Sequence, residues 1–447
     1  MMVEGNEPPR HAVAIIGGAV SGAQVAGMLS ELGTEVVVFE QNLRPFGKIE
    51  DGLPRWHSAL RSKEYEKIKE KLTSPRIHFV PRTRVGTHVG FQELAERWGF
   101  TAVILACGAW RDRPVPVQGV EPYANKGLLY QNKFIKAFNH AEDPGYDGPT
   151  YEPKDGVAVF GGGLASLDCV KVLMLETTRK ALSMRGFQVD IEEMEKTGIP
   201  RTCEMHGLSF SDLGLKGATL VYRRDAEDMP VSEIPPDADE EKAAKVRASR
   251  ARILGKTQEK FAFRFLPRST PERPIVENGR LVGFIMRRMT KDASGRLVKS
   301  DELFELRAPY FVSSIGSIPL PIEGVAMKGE LFDFKDWKLG RLEGYPTVFS
   351  VGNVVTGKGN IVASRRHATI VAEELIERYL GIGDGKTAVN PRDIKAKAEA
   401  ERVVRHIQRL TPAPPEVIQE IRARARARQA EVGFTHLKAW LERYPPA

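Results

Sequence analysis

The chain has 447 residues, enough for two or three domains with large cores, and its 42% hydrophobic and 28% charged residues are those of an ordinary globular protein. Its three cysteines, Cys107, Cys169 and Cys203, never fall as C-x-x-C. That spacing excludes a disulfide framework, a thiolate-ligated iron–sulfur cluster and a redox-active cysteine pair, so redox chemistry has to come from a bound cofactor. The net charge of +8 is spread among acidic residues with no stacking platform, which suits an acidic protein partner and not nucleic acid. No apolar run approaches the roughly 20 residues that span a bilayer and no leader pattern is legible, so a cytoplasmic protein without membrane insertion is expected.

The first elements make a complete dinucleotide-binding unit. An apolar strand over residues 13–16 runs into a turn with Gly17, Gly18 and Gly22. A small-residue helix follows over 23–32, Gly33 ends it, and a second apolar strand over 36–39 closes on Glu40. In such a unit a pyrophosphate sits over the turn at the helix N-terminus, where unpaired N–H groups and the helix dipole favour an anion, and the acid accepts from ribose hydroxyls. A bare glycine fingerprint is a weak signal, but the flanking strand, helix and acid make this one strong. Ala19 stands where the middle glycine usually sits, which predicts a less close approach of the backbone to the pyrophosphate.

A Gly- and Pro-rich loop containing Gly47, Lys48 and His57 then leads into a charged amphipathic helix. The loop is irregular and polar, as suits a segment that wraps a ligand. A lone histidine such as His57 is more often structural than catalytic. Short strands are predicted at 77–80 and 84–89, a short helix at 90–98, and an apolar strand in 101–110 that halts at the small residues Ala106, Cys107 and Gly108. A loop-rich connection over 111–155 reaches a second signature, with Gly161, Gly163 and Ser166 at the fingerprint positions. A partly helical insertion over 185–214 delays its closing strand, GATLVY. Arg223 and Arg224 then stand where an acid usually does, and two guanidinium groups there are what a 2′-phosphate requires; the alternative is a solvated face.

Residues 232–252 read as charged helix, and antiparallel strands at 261–266, 281–290 and 303–308, with turns at 277–279 and 293–295, complete the second domain. PYFVSSIGSIP is again an apolar strand stopping at small residues. A strand to Val351 then precedes a loop with Gly352, Gly357 and Gly359 and a long helix starting near Asn360 or Ile361, a further anion-favouring helix start. The first domain is therefore discontinuous. The tail has a charged helical stretch, a proline-rich joint at 411–415 and arginines at every second position over 422–428. That spacing shares no helical face, so a solvated basic helix is expected.

Together these segments resemble the adrenodoxin reductase family of NADPH–ferredoxin reductases, and nearly as well the glutamate synthase small subunit and its stand-alone relatives, over nearly the whole chain. The likeness rests on the first glycine motif with Glu40, the loop with Gly47 and His57, ACG at 106–108, GGGLASLD followed by YRR, FVSSIGSIP, VGNVVTGKGNI and GFTHLKAWLE. It implies an α/β fold with two Rossmann-like dinucleotide-binding domains. The FAD domain (1–112 and 310–389) would be interrupted by the NADP(H) domain (113–309) and followed by a helical extension (390–447).

For the cofactors, the resemblance implies FAD cradled by Gly17, Ala19, Ser21 and Gly22, with Glu40 on the adenosine ribose and Val85 near the adenine. Gly47, Lys48, Ala106, Cys107, Gly108, Gly352 and Asn353 would also contact it, with the Gly359, Asn360 and Ile361 backbone at the flavin N1–O2 edge. It implies NADP(H) held by Gly161, Gly163, Leu164, Ala165, Ser166, Arg223 and Arg224, with Glu233 nearby, and a catalytic role for His57 in supporting the flavin or relaying a proton. Asn353 and Asn360 depart from the family pattern. The implied activity is hydride transfer from NADPH to FAD, then electron transfer to an acidic ferredoxin-like iron–sulfur protein, or the reverse. Alternatives are an electron-transfer subunit of a larger flavoenzyme complex and a non-catalytic FAD-binding scaffold.

Overall fold

The computed structural model describes residues 8–232, 234, 238–355 and 391–446, with 391–396 as backbone. Its first sheet is parallel, in the order Val348–Ser350, Ala102–Leu105, Ala12–Ile16, Glu35–Phe39, Ile77–Val80. The central strand, AVAII, is wholly buried, as expected for a parallel strand covered on both faces. Ile16 pairs with Phe39 on one side and Leu105 on the other, and Ser350 pairs with Leu105, so these strands end level. The residues that follow, Gly17, Glu40, Ala106 and Val351, therefore share one edge, where ligands bind in open α/β sheets.

A second parallel sheet runs Leu128–Tyr130, Phe311–Ser313, Ala158–Phe160, Thr219–Val221, Arg264–Leu266. A three-stranded antiparallel sheet, Ser269–Glu277, Arg280–Lys291 and Leu297–Arg307, covers it through Phe284, whose ring meets Phe160 and Phe311 edge-on at 5.3 and 4.8 Å. The chains leaving and re-entering the first unit run side by side, Arg111–Asp112 pairing antiparallel with Ser317–Ile318.

Several expectations change. Residues 84–89 form no strand; only an isolated Val85–Val89 bridge is made. The connection over 111–155 contains a sheet strand and the helix Gln131–His140. Helix Glu240–Phe261 runs past residue 252, where the charged helix was expected to end, and Arg264–Leu266 then joins the parallel sheet and not the antiparallel one. Phe311–Ser313 lies between two strands of the second sheet, so the return to the first unit comes at the Ser317–Ile318 ribbon and not at residue 310. Its apolar triplet satisfies either sheet equally, and only long-range pairing decides.

The C-terminal helices Pro391–Ile407, Pro415–Glu431 and Leu437–Arg443 pack on the first unit. Val403, Val404 and Ile407 share its core with Val25 and Leu29. The arginine run is not a solvated face. Arg422 forks onto Glu35 at 2.5 and 2.7 Å, Arg428 donates to Thr83 at 3.0 Å, and Arg424 lies over the Trp98 ring at 5.2 Å. His78 also meets Glu35, at 2.6 Å. Burial alone would raise the Glu35 carboxyl, but the hydrogen bonds from His78 and Arg422 outweigh it and lower it to about 2.

A carboxyl held that far below its ordinary value contributes stability that is present above about pH 4.5 and lost as pH falls toward 2. The thermal midpoint should therefore drop across that window, and in Arg422→Ala the drop should be shallower. Superimposable acid profiles for the two proteins would refute this role of Glu35.

Candidate functional site

A cleft of about 1340 Å³, counting its open mouth, lies over the shared edge of the first sheet. Gly17, Ala19, Ser21, Glu40, Gly47, Lys48, Val85, Ala106, Cys107, Gly108, Gly352 and Asn353 all line it. Gly22 stands just behind: a Cβ there would sit 1.8 Å from the Gly17 carbonyl oxygen, so only glycine lets the helix Val20–Glu31 start this close to the strand end. The methyl of Ala19 is accommodated by Gly47, where a Cβ would come within 2.9 Å of it. Two of the predicted residues thus depend on one another.

Glu40 is 3% exposed, and its two carboxylate oxygens accept from the backbone N–H groups of Gly18 and Asn42, each at 2.9 Å. Burial pushes the carboxyl up to about 7 against those two bonds. Cys107 is pushed up to about 12 by burial, so it is a neutral wall residue and not a thiolate. Lys48 donates to Ser317 Oγ at 3.0 Å and lies over the Trp110 ring at 5.8 Å. Asn353 is exposed at the rim. The glycine turn, the helix start and the ribose-height acid fit an adenine dinucleotide.

At the second site the ends of Ala158–Phe160, Thr219–Val221 and Phe311–Ser313 also come level. A Cβ on Gly161 would meet Ser166 Cβ and the Ser314 carbonyl oxygen, each at 2.5 Å. Ser166, standing for the last glycine, is fully buried and turns its hydroxyl onto the Gly163 carbonyl at 2.6 Å. Gly163, Leu164 and Ala165 are half-exposed at the start of helix Leu164–Ser183. Arg223 and Arg224 are exposed, and neither has an ion-pair partner among the described residues. Their neighbour Asp225 is by contrast paired with Arg268 at 2.6 Å and Lys291 at 3.3 Å.

His57 is not among the residues lining the cleft. It accepts from Trp56 Nε1 at 3.1 Å and faces the second unit, with Nε2 3.9 Å from an Asp168 carboxylate oxygen. Glu233, Gly359, Asn360 and Ile361 lie outside the described residues. One cleft residue carries no sequence signal: Glu399, from the C-terminal extension, accepts from Gly352 N–H at 2.7 Å and lines the cleft. Trp110, two residues beyond the ACG stop, also lines the cleft.

No family model matches the chain. It is 24% identical over 426 residues to the NADPH–ferredoxin reductase FprA of Mycobacterium leprae, covering 88% of this chain and 89% of that one. It is 31% identical over 178 residues to the glutamate synthase [NADPH] small chain of Bacillus subtilis, a match spanning 39% of this chain and about a third of the relative, 34%. The chain is thus similar over nearly its whole length to the first of these proteins and over a shorter stretch to the second. Mycobacterium tuberculosis FprA in complex with NADPH matches this chain with a TM-score of 0.63 at 20% identity, covering 94% of this chain and 91% of that one, which shows a common fold. Within that fold the arginine run of this chain lies on the first unit, against the strand Ile77–Val80, where Gln429 also donates to the Phe79 carbonyl.

Proposed function

We propose that this chain is an FAD-containing NADPH oxidoreductase of the ferredoxin–NADP reductase type, taking hydride from NADPH at the second unit and passing electrons from the first to an acidic ferredoxin-like iron–sulfur protein, or running in reverse. The observation that carries it is a pair of strand–glycine-turn–helix cradles, one ending at the buried carboxylate Glu40 and the other at the exposed arginines Arg223 and Arg224. The near full-length likeness to FprA supports the same reading. The bound flavin supplies hydride acceptance and onward electron release.

The residues supply position. Glu40, fixed by two backbone N–H groups, receives the ribose, and the N-terminus of Val20–Glu31 takes the pyrophosphate. Arg223 and Arg224 clamp the 2′-phosphate of NADPH. We read His57, whose Nε2 lies 3.9 Å from an Asp168 carboxylate oxygen, as the residue that supports the flavin or relays a proton. The glutamate synthase likeness supports a second arrangement, in which the acceptor is a larger flavoenzyme subunit.

The test is anaerobic. NADPH should bleach the flavin colour of the purified protein, NADH should do so far more slowly, and a screen of acceptors should return an acidic ferredoxin. A flavin that stays oxidised under NADPH would overturn the proposal; stable co-purification with a large subunit would move the acceptor to the second arrangement.

A further inference from the structure

The wall of the first cleft is fastened to the other unit. Gly47, Lys48 and Ile49 line the cleft, and the chain then runs on through Trp56 along the second unit. Asn139, 4% exposed on the helix Gln131–His140, gives its side-chain N–H groups to two backbone carbonyls of this segment, Glu50 at 2.9 Å and Leu53 at 2.8 Å. On the same helix Lys136 and His140 both meet the Asp51 carboxylate, each at 3.2 Å. Trp56, 7% exposed, is sunk in the second unit's core, its ring 5.2 Å from Phe138 and 4.9 Å from the Lys171 ammonium, which is itself paired with Glu195 at 2.6 Å. Within one short stretch, backbone carbonyls, a carboxylate and an indole are all held by the second unit.

We propose that Asn139 is a positioning residue for hydride transfer, holding the 47–53 wall of the flavin cleft at a set distance from the nicotinamide site. This rests on the reading of the two cradles given above. Two N–H donors on one rigid amide fix both the height and the rotation of the segment, which a single ion pair on flexible chains does not. The chemistry is correspondingly sensitive: a displacement of about 1 Å between reacting groups costs roughly 10²-fold in rate. The 2′-phosphate clamp at Arg223 and Arg224 lies elsewhere, so binding and transfer separate.

Asn139→Leu should lower the limiting rate of flavin reduction by NADPH at least tenfold while leaving the NADPH dissociation constant within about twofold. It should also weaken the long-wavelength absorbance that reports nicotinamide stacked on flavin. In the cofactor-free protein, backbone hydrogen exchange over residues 47–53 should quicken by a similar factor. Lys136→Met, at a half-exposed site that leaves the core intact, should act in the same direction with a smaller effect and serves if the leucine variant does not fold. Unchanged exchange, or faster exchange with an unchanged limiting rate and stacking band, overturns the proposal. Wild-type protein whose flavin is not reduced by NADPH strikes the functional reading instead, and the exchange measurement still decides whether Asn139 holds the wall.

Discussion

Gly22→Ala is expected to give a protein whose second unit folds and whose first unit retains no flavin. The added Cβ would stand 1.8 Å from the Gly17 carbonyl oxygen, a backbone atom with no rotamer in which to escape. Gly17 N–H is already committed to the Phe39 carbonyl at 2.8 Å, so the strand end cannot yield without breaking the sheet. The helix start has to move instead, carrying with it the N–H groups that would meet the pyrophosphate. Overpacking of this kind costs about 1–3 kcal/mol, and more where only backbone can shift. Flavin content after gel filtration and the near-ultraviolet dichroism of the first unit measure the outcome. Gly255→Ala, in the interior of helix Glu240–Phe261 with open space around it, is the control and should be neutral or slightly stabilising. A yellow Gly22→Ala protein with wild-type flavin content would remove the cradle from the argument.

Replacing Arg223 and Arg224 together by Ala should raise the NADPH Michaelis constant at least tenfold and leave the weak use of NADH unchanged. Tenfold is about 1.4 kcal/mol, less than one charge-assisted hydrogen bond commonly contributes. The local fold does not depend on the lost guanidinium groups: the bond from Arg268 N–H goes to the backbone carbonyl of Arg224, and Asp225 keeps Arg268 and Lys291. Initial rates with both nucleotides decide. Equal rates with NADH and NADPH in the unaltered protein would defeat the assignment.

Both predictions were within reach of the sequence because both concern short-range patterns: apolar runs buried on two faces, glycines where two backbones touch, and an acid or a pair of arginines at a strand end. What escaped was long-range. LLY at 128–130 is too short to read as a strand, yet Phe311–Ser313 needs it as a partner. RFL at 264–266 looks like the start of an antiparallel meander and is the edge of a parallel sheet, since its pairing with Thr219–Val221 bridges the whole of helix Glu240–Phe261. Arg422 carries no mark distinguishing it from Arg426; its meaning comes from Glu35, a residue near the other end of the chain. Glu399 was unreadable for the same reason, and Asn139 looked like any polar residue on an amphipathic helix.

The way the first sheet is assembled sets an order of events at synthesis. Its edge strand Val348–Ser350 pairs with Ala102–Leu105, and its core is finished by Val403, Val404 and Ile407. The inserted sheet needs nothing later than Phe311–Ser313. On a ribosome adding about 5–20 residues per second, the unit that emerges first thus waits, incomplete, for tens of seconds while the one threaded through it closes. During that wait Ala102–Leu105 is an apolar strand lacking its outer neighbour. The nascent chain is therefore most exposed to chaperone capture, or to aggregation, through its opening hundred residues, and removal of the final helices would prolong that exposure without limit.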